Sequence, residues 1–351
     1  MRAPADRFVT GSMYMMDARR TTPWDEKNIL RRSPWGCAPR HRRASRAMCG
    51  MGWSDGRVGG GFTLLELMVA LSIGMVVVGA ALTTYVMTGR TGRLQITLAE
   101  MNESAQIGLT LLTRELQQAG YARPTGVVLA ASGAAPARLA RTGVEQPVFG
   151  CSHGLKDSSH RSQSAPWDAT VCAGAAGPRD DVLEISYEAD VVNSSPTSSG
   201  VPSDCIGSGL SARTQSLGAD TGLMVSYYPT RNRYYVSTGS SGRSELYCAS
   251  AQGAPGQPLV DHVEALRFWY GEADATEPRR VVRYVGAESV SDWSLVISVR
   301  LCLLMRGREA VLGEDDALDY LDCEGARVQA ADRHPRRAYF TTAALRGRTA
   351  W

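Results

Sequence analysis

No proline occurs between Phe62 and Tyr121. Proline inside a helix removes a hydrogen bond and clashes with the preceding turn, so its absence permits one nearly continuous helix of about 58 residues, on the order of 87 Å at 1.5 Å per residue. Charge is scarce in the first half of that stretch, where Glu66 is the one charged side chain between Phe62 and Met87. The chain also has no G-x-x-x-x-G-K-[ST] phosphate loop. Nothing assembles a nucleophile with its base, so the sequence predicts no enzyme, no cofactor and no metal. The overall charge of +3 misleads: residues 1–61 carry 12 Lys+Arg against 5 Asp+Glu, leaving 26 against 30 in the following 290 residues, a net of −4. That balance gives no support to nucleic-acid binding.

What is present is the run Gly61-Phe62-Thr63-Leu64-Leu65-Glu66-Leu67-Met68-Val69-Ala70-Leu71. The apolar stretch from Phe62 to Met87 is long enough to cross a bilayer, which takes roughly 20 apolar residues. Glu66 would then sit in lipid, where a carboxylate costs at least ~2.5 kcal/mol and marks a functional group seeking a partner. A secretory signal is laid out differently, with roughly 7–15 apolar residues followed by small residues at the cleavage site. Here the glycine precedes the run. Gly61-Phe62 with Glu66 resembles the prepilin cleavage and methylation motif of type IV pilins and related pseudopilins. The resemblance implies that a dedicated peptidase cuts after Gly61 and that the new N-terminal Phe62 is methylated. It also implies that Glu66 attracts the Phe62 amine, in its own subunit or a neighbouring one, when the subunit enters a filament core. A buried charge pair adds little net stability but fixes register, because leaving one charge unpaired is expensive.

On this reading residues 1–61 are a cytoplasmic leader, which is long for the family. Met48 or Met51 as the start would leave a leader of family-like length. Two cysteines, Cys37 and Cys49, fall in the leader, and six follow: Cys151, Cys172, Cys205, Cys248, Cys302 and Cys323. An even number in an oxidising compartment suggests three disulfides. Six cysteines allow 15 pairings, with neighbours in sequence preferred.

After Arg90 the apolar positions Leu94, Leu98, Met101, Ala105, Leu109, Leu112, Leu116 and Ala119 recur at spacings of three and four, which predicts an amphipathic half of the helix. Gly120 and Pro124 predict its stop. Gly89 and Gly92, at the junction of the halves, are candidates for a bend or melted turn, since glycine weakens a helix by about 1 kcal/mol. Residues 122–351 read as a β-rich head. Strands are expected at 181–188, 223–228, 233–237, 244–249, 262–270, 280–285, 293–304 and 337–345, with a loop holding short elements tied by Cys151 and Cys172 over 127–178 and a long loop over 191–221. The pattern is α+β, an antiparallel sheet packed on the helix.

The resemblance extends along the chain. Glu103-Ser104-Ala105, Leu112-Thr113-Arg114-Glu115-Leu116 and Ala119-Gly120-Tyr121 are similar to PilW-type minor pilins. So are Leu259 to Leu266 with Tyr270-Gly271, Trp293 to Arg306, and Thr341 to Arg348. It implies an inner-membrane protein with one span at 62–87 and a periplasmic head, later carried at or near the tip of a pilus on the cell surface and helping to start assembly. The implied partners are other minor and major pilins, the prepilin peptidase and methylase, the inner-membrane assembly platform and membrane lipid, with a PilY-type tip adhesin as a further candidate. The alternatives are a minor pseudopilin of a type II secretion system and a surface or DNA-binding adhesion module.

Bland readings are preferred for the remaining features. Cys151, His153, His160 and Cys172 match no compact zinc spacing, and a disulfide with surface histidines is favoured. Glu314, Asp315, Asp316, Asp319, Asp322 and Glu324 lack the ligand spacing and central glycine of an EF-hand, so a solvated loop is expected. Gly207-Ser208-Gly209-Leu210-Ser211-Ala212 fits G-x-G-x-x-A but follows no strand. Tyr227, Tyr228, Tyr234, Tyr235, Phe268, Trp269 and Tyr270 read as core or cross-strand residues, ahead of a ligand face.

Overall fold

Helix α1 runs from Leu64 to Gln118 without a break. The computed structural model describes residues 61–128, 138–143, 146–156, 170–174, 180–216, 224–250, 255–313, 316 and 318–349. The leader, with Cys37 and Cys49, lies outside them but for Gly61. No turn melts at Gly89 or Gly92, where the helix is continuous. Threonines flank both glycines and return their hydroxyls to the backbone, Thr88 Oγ1 donating to the Thr84 carbonyl at 2.8 Å and Thr91 Oγ1 to that of Met87 at 3.1 Å. The buried residues of α1 are Thr97, Met101, Ala105, Gly108, Leu112 and Leu116, one stripe at spacings of three and four. The helix ends at Gly120, whose φ of +73° is a left-handed cap that glycine adopts at no steric cost.

The head follows. A hairpin of β1 (Pro124–Val128) and β2 (Arg138–Arg141) leads into β3 (Val148–Cys151), β4 (Val182–Ala189), β5 (Arg213–Ser216), β6 (Met224–Thr238), β7 (Ser244–Ser250) and β8 (Gln257–Asp261). These pair antiparallel in the order β3-β4-β6-β7-β8, with β5 on the start of β6. His262, at φ +62°, is the single residue between β8 and β9 (Val263–Ala273), and the chain changes sheets there. With β10 (Val281–Val285), β11 (Val296–Arg306) and β14 (Arg336–Ala344), β9 forms a second antiparallel sheet of order β10-β9-β11-β14. Strands β12 (Asp319–Leu321) and β13 (Arg327–Gln329) make a small hairpin, and α2 (Arg346–Thr349) closes the described chain. The core joins the head half of α1 to both sheets: Leu112 and Leu116 cluster with Leu183, Ile185, Tyr234, Leu246, Phe268, Leu301 and Leu303. The architecture is α+β, one long helix and an antiparallel head.

Several expectations differ in detail: β5 lies within the loop expected over 191–221, β8 falls outside the expected strands, and three further differences are local. The segments at 223–228 and 233–237 are one strand, β6, because Pro229 sits where neither β5 nor β7 pairs with it and only β4 lies alongside. Proline, lacking an N–H, is tolerated where a ladder bond is not needed. The strand expected from 293 begins at Val296, since Asp292 caps a 3-10 turn at Trp293–Leu295 by accepting from Ser294 N at 2.7 Å. The acidic stretch, expected as loop, contains β12 and the turn that leads to β13.

Candidate functional site

The first half of α1 contains a window of mean hydropathy 2.3 that is wholly unburied, long and apolar enough to cross a membrane. Leu67, Met68, Leu71, Ile73, Val76, Val77 and Leu82 are all exposed. An apolar surface of that extent calls for lipid or other chains to cover it. Glu66 stands in the first helical turn, where the partial positive charge of the helix terminus favours a carboxylate. Gly61 and Phe62 precede the helix and are exposed.

The six head cysteines form three disulfides. Cys151 at the end of β3 joins Cys172, Cys205 joins Cys248 on β7, and Cys302 on β11 joins Cys323. Each fastens a long irregular segment to a strand, which limits the unfolded chain more than the folded one. The sulfurs of Cys151 and Cys172 are spent on each other, so they do not form a thiolate zinc site. His153 occupies a left-handed corner at φ +62°, and His160 lies outside the described residues.

Sequence reasoning missed a set of buried acids. Strand β4 is buried on both faces: Leu183, Ile185 and Tyr187 enter the core, while Glu184 and Glu188 lie on the other side. Glu184 pairs with Arg233, and Arg231 stands 3.7 Å away. Glu188 pairs with Arg123, accepts from the Arg123 backbone N–H at 2.8 Å and from the Thr142 hydroxyl. Asp181 accepts from Phe268 N at 2.8 Å and from Arg267 Nη1 at 3.0 Å, tying the start of β4 to β9. Burial pushes its carboxyl up to about 7 against the pull of Arg267, and burial likewise raises Glu184 despite Arg233 and Arg231. The sequence signal was the acids that replace apolar residues on one face of β4. Their arginine partners are too distant in the chain to be recognised beforehand.

The acidic stretch spends its charges locally. Asp322 Oδ1 accepts from Glu324 N at 3.0 Å and Ala326 N at 2.8 Å, Asp319 faces Arg327 at 3.4 Å, and Glu324 pairs with Arg267 at 2.7 Å. Glu314 and Asp315 lie outside the described residues. Among the described residues no group of three His, Cys, Asp or Glu is placed to hold a metal ion. The G-x-G-x-x-A segment is a turn, with Gly207 at φ +81° and Ser203 bridged to Gly209. Tyr227, Tyr234, Tyr235, Phe268 and Tyr270 are buried, with Tyr228 and Trp269 packed on core clusters.

Two family models match the chain. Residues 233–346 match the family described as Type IV Pilus-assembly protein W, and residues 59–82 match the prokaryotic N-terminal methylation motif. No curated protein matches. Among solved structures, a type IV-like pilin from Thermus thermophilus is similar at 15% identity and a TM-score of 0.32, over 71% of this chain and 97% of that one.

Proposed function

We propose that this PilW-like type IV pilin works as a minor pilin at or near the pilus tip, where it helps to initiate assembly. The observation that carries the reading is the unburied apolar half of α1 with one carboxylate near its start, on a chain whose head holds the PilW-family region. In the membrane this half is the anchor and the head faces the periplasm. In the filament the same half is covered by the corresponding helices of other subunits. Gly61 and Phe62 are the processing residues, cut and N-methylated by the prepilin peptidase, and Glu66 is the assembly residue that receives the Phe62 amine. The three head disulfides fit an oxidising compartment. The partners are other pilins and the assembly platform.

Two measurements test this. Mass spectrometry of the mature protein is expected to find methylated Phe62 at its N-terminus, and a different N-terminus in filaments would remove the processing assignment. Deleting the gene is expected to reduce pilus number sharply, and normal piliation would overturn the initiation role.

A further inference from the structure

A groove of about 610 Å³ runs between the head half of α1 and the segment after β4, with Ile107, Leu111 and Glu115 on the helix side and Ser203, Asp204 and Cys205 on the other. Its walls are fixed. The Cys205–Cys248 disulfide fastens the second wall to β7, and Asn232 links the two walls, its Nδ2 donating to Glu115 Oε2 at 3.0 Å while its Oδ1 accepts from Cys205 N at 3.3 Å.

The electrostatics of this groove differ from the rest of the head. The buried acids Asp181, Glu184, Glu188 and Glu272 each pair with an arginine. Asp204, only 7% exposed, has none among the described residues. Its Oδ1 accepts from Ile206 N at 3.0 Å and Ser208 N at 2.8 Å, whereas its buried Oδ2 has no hydrogen-bond partner. Glu115 is hydrogen-bonded by neutral groups, Asn232 and the Tyr187 hydroxyl at 3.4 Å, and forms no ion pair among the described residues. Burial raises its carboxyl. Arg114, the nearest cation on the helix, is exposed on the rim. Two acids thus line one concave site, and among the described residues no cation is bonded to either. An unpaired buried carboxylate oxygen is costly, and a cation donating to it recovers much of that cost.

We propose that this groove receives an arginine side chain from a neighbouring subunit, its guanidinium shared by Asp204 and Glu115 and its aliphatic stem laid along Ile107 and Leu111. Arginine suits the site because its planar fork of five N–H donors reaches two acceptors at once and its stem packs on apolar surface. The charge argument is independent of what the protein does, and that the donor is another pilin subunit rests on the pilin reading above.

The test uses the full mature chain in detergent and a capped Ala-Arg-Ala peptide, with citrulline replacing arginine as the neutral control. Saturable binding of the arginine peptide is expected, roughly tenfold weakened by Asp204→Asn or Glu115→Gln, with no saturable binding of the citrulline peptide. Both variants keep a side-chain oxygen acceptor, and circular dichroism checks their folding. Should Asp204→Asn fail to fold, Glu115→Gln decides. Absence of saturable binding to the arginine peptide, equal binding of the citrulline peptide, or unchanged binding by the folded variants would overturn the proposal. None of these results bears on the N-terminus found by mass spectrometry, so the two readings fail separately.

Discussion

Gly108 on α1 stands directly against Leu303 on β11: a Cβ at position 108 would meet Leu303 Cδ1 at 2.8 Å and Val260 Cγ2 at 3.6 Å. The absent side chain sets how closely the helix approaches both sheets, since Val260 belongs to β8 and Leu303 to the second sheet. Glycine here costs about 1 kcal/mol of helix propensity, and the close packing of Leu112 and Leu116 one and two turns on offsets it.

Gly108→Val is therefore expected to destabilise the head by ~1–3 kcal/mol through overpacking, read as a lower urea midpoint at unchanged slope. Gly79→Val is the control, because nothing lies within 4 Å of that position. Equal midpoints for Gly108→Val and the wild type would show that the helix is not held at this contact.

Glu66→Val is expected to leave the protein membrane-inserted and cleaved but poorly incorporated into pili. Removing a carboxylate makes the apolar run more apolar, and the proposed cleavage residues Gly61 and Phe62 are unchanged. Entry into a filament would leave the Phe62 amine buried without its partner, a defect of roughly 3–5 kcal/mol. Comparing mutant subunit in membranes and in sheared pili measures it, and normal incorporation would sink the assembly role of Glu66.

Thiol labelling of the unfolded, unreduced mature chain is expected to find almost no free thiol. Replacing Cys302 and Cys323 by serine releases the hairpin segment from β11, and with a sequence separation of 21 the loss expected is ~2–4 kcal/mol. No change in stability would mean that the segment is held without the disulfide, by the packing of Tyr320 and the Glu324–Arg267 pair.

Stability is expected to fall as pH rises from about 4 to about 7, because Asp181 binds its proton more tightly folded than unfolded. Its folded pKa is about 7 against an ordinary 3.8, so the folded state holds more protons across that window and the slope is negative. Asp181→Asn removes this contribution, on the order of 2–4 kcal/mol, and its stability should vary less between pH 4 and 7. Asp332 works in the opposite sense at lower pH: the hydrogen bond from Arg336 holds its carboxyl well below the usual range, so its contribution is lost as pH falls below about 4. Parallel pH profiles for Asp181→Asn and the wild type would reject the assignment to Asp181.

Several parts of this structure were legible in the chain. The spacing of Met101, Ala105, Leu112 and Leu116 identified the buried stripe of α1, and Gly120 marked the helix end. The segments around 182–189, 244–250 and 263–273 declared themselves as strands. Gly89 and Gly92 do not melt a turn, because a local propensity cost of about 1 kcal/mol each is outweighed by the helical bonding on both sides. The candidate groove was not legible at all. Glu115 and Asp204 are 89 residues apart in the chain, and nothing near either one announces that the other faces it.

The sequence by itself determined the long apolar helix, the lone carboxylate at its start and the order of helix and strands, because these depend on properties of neighbouring residues: periodicity, length, capping and the cost of charge in lipid. Only the tertiary structure decided which cysteine joins which, that β6 is one strand through Pro229, that arginines far along the chain pair with the acids of β4, and that Asp204 has no such partner among the described residues. Those outcomes depend on which distant segments pack together, and the free energy of such contacts is set by the whole fold.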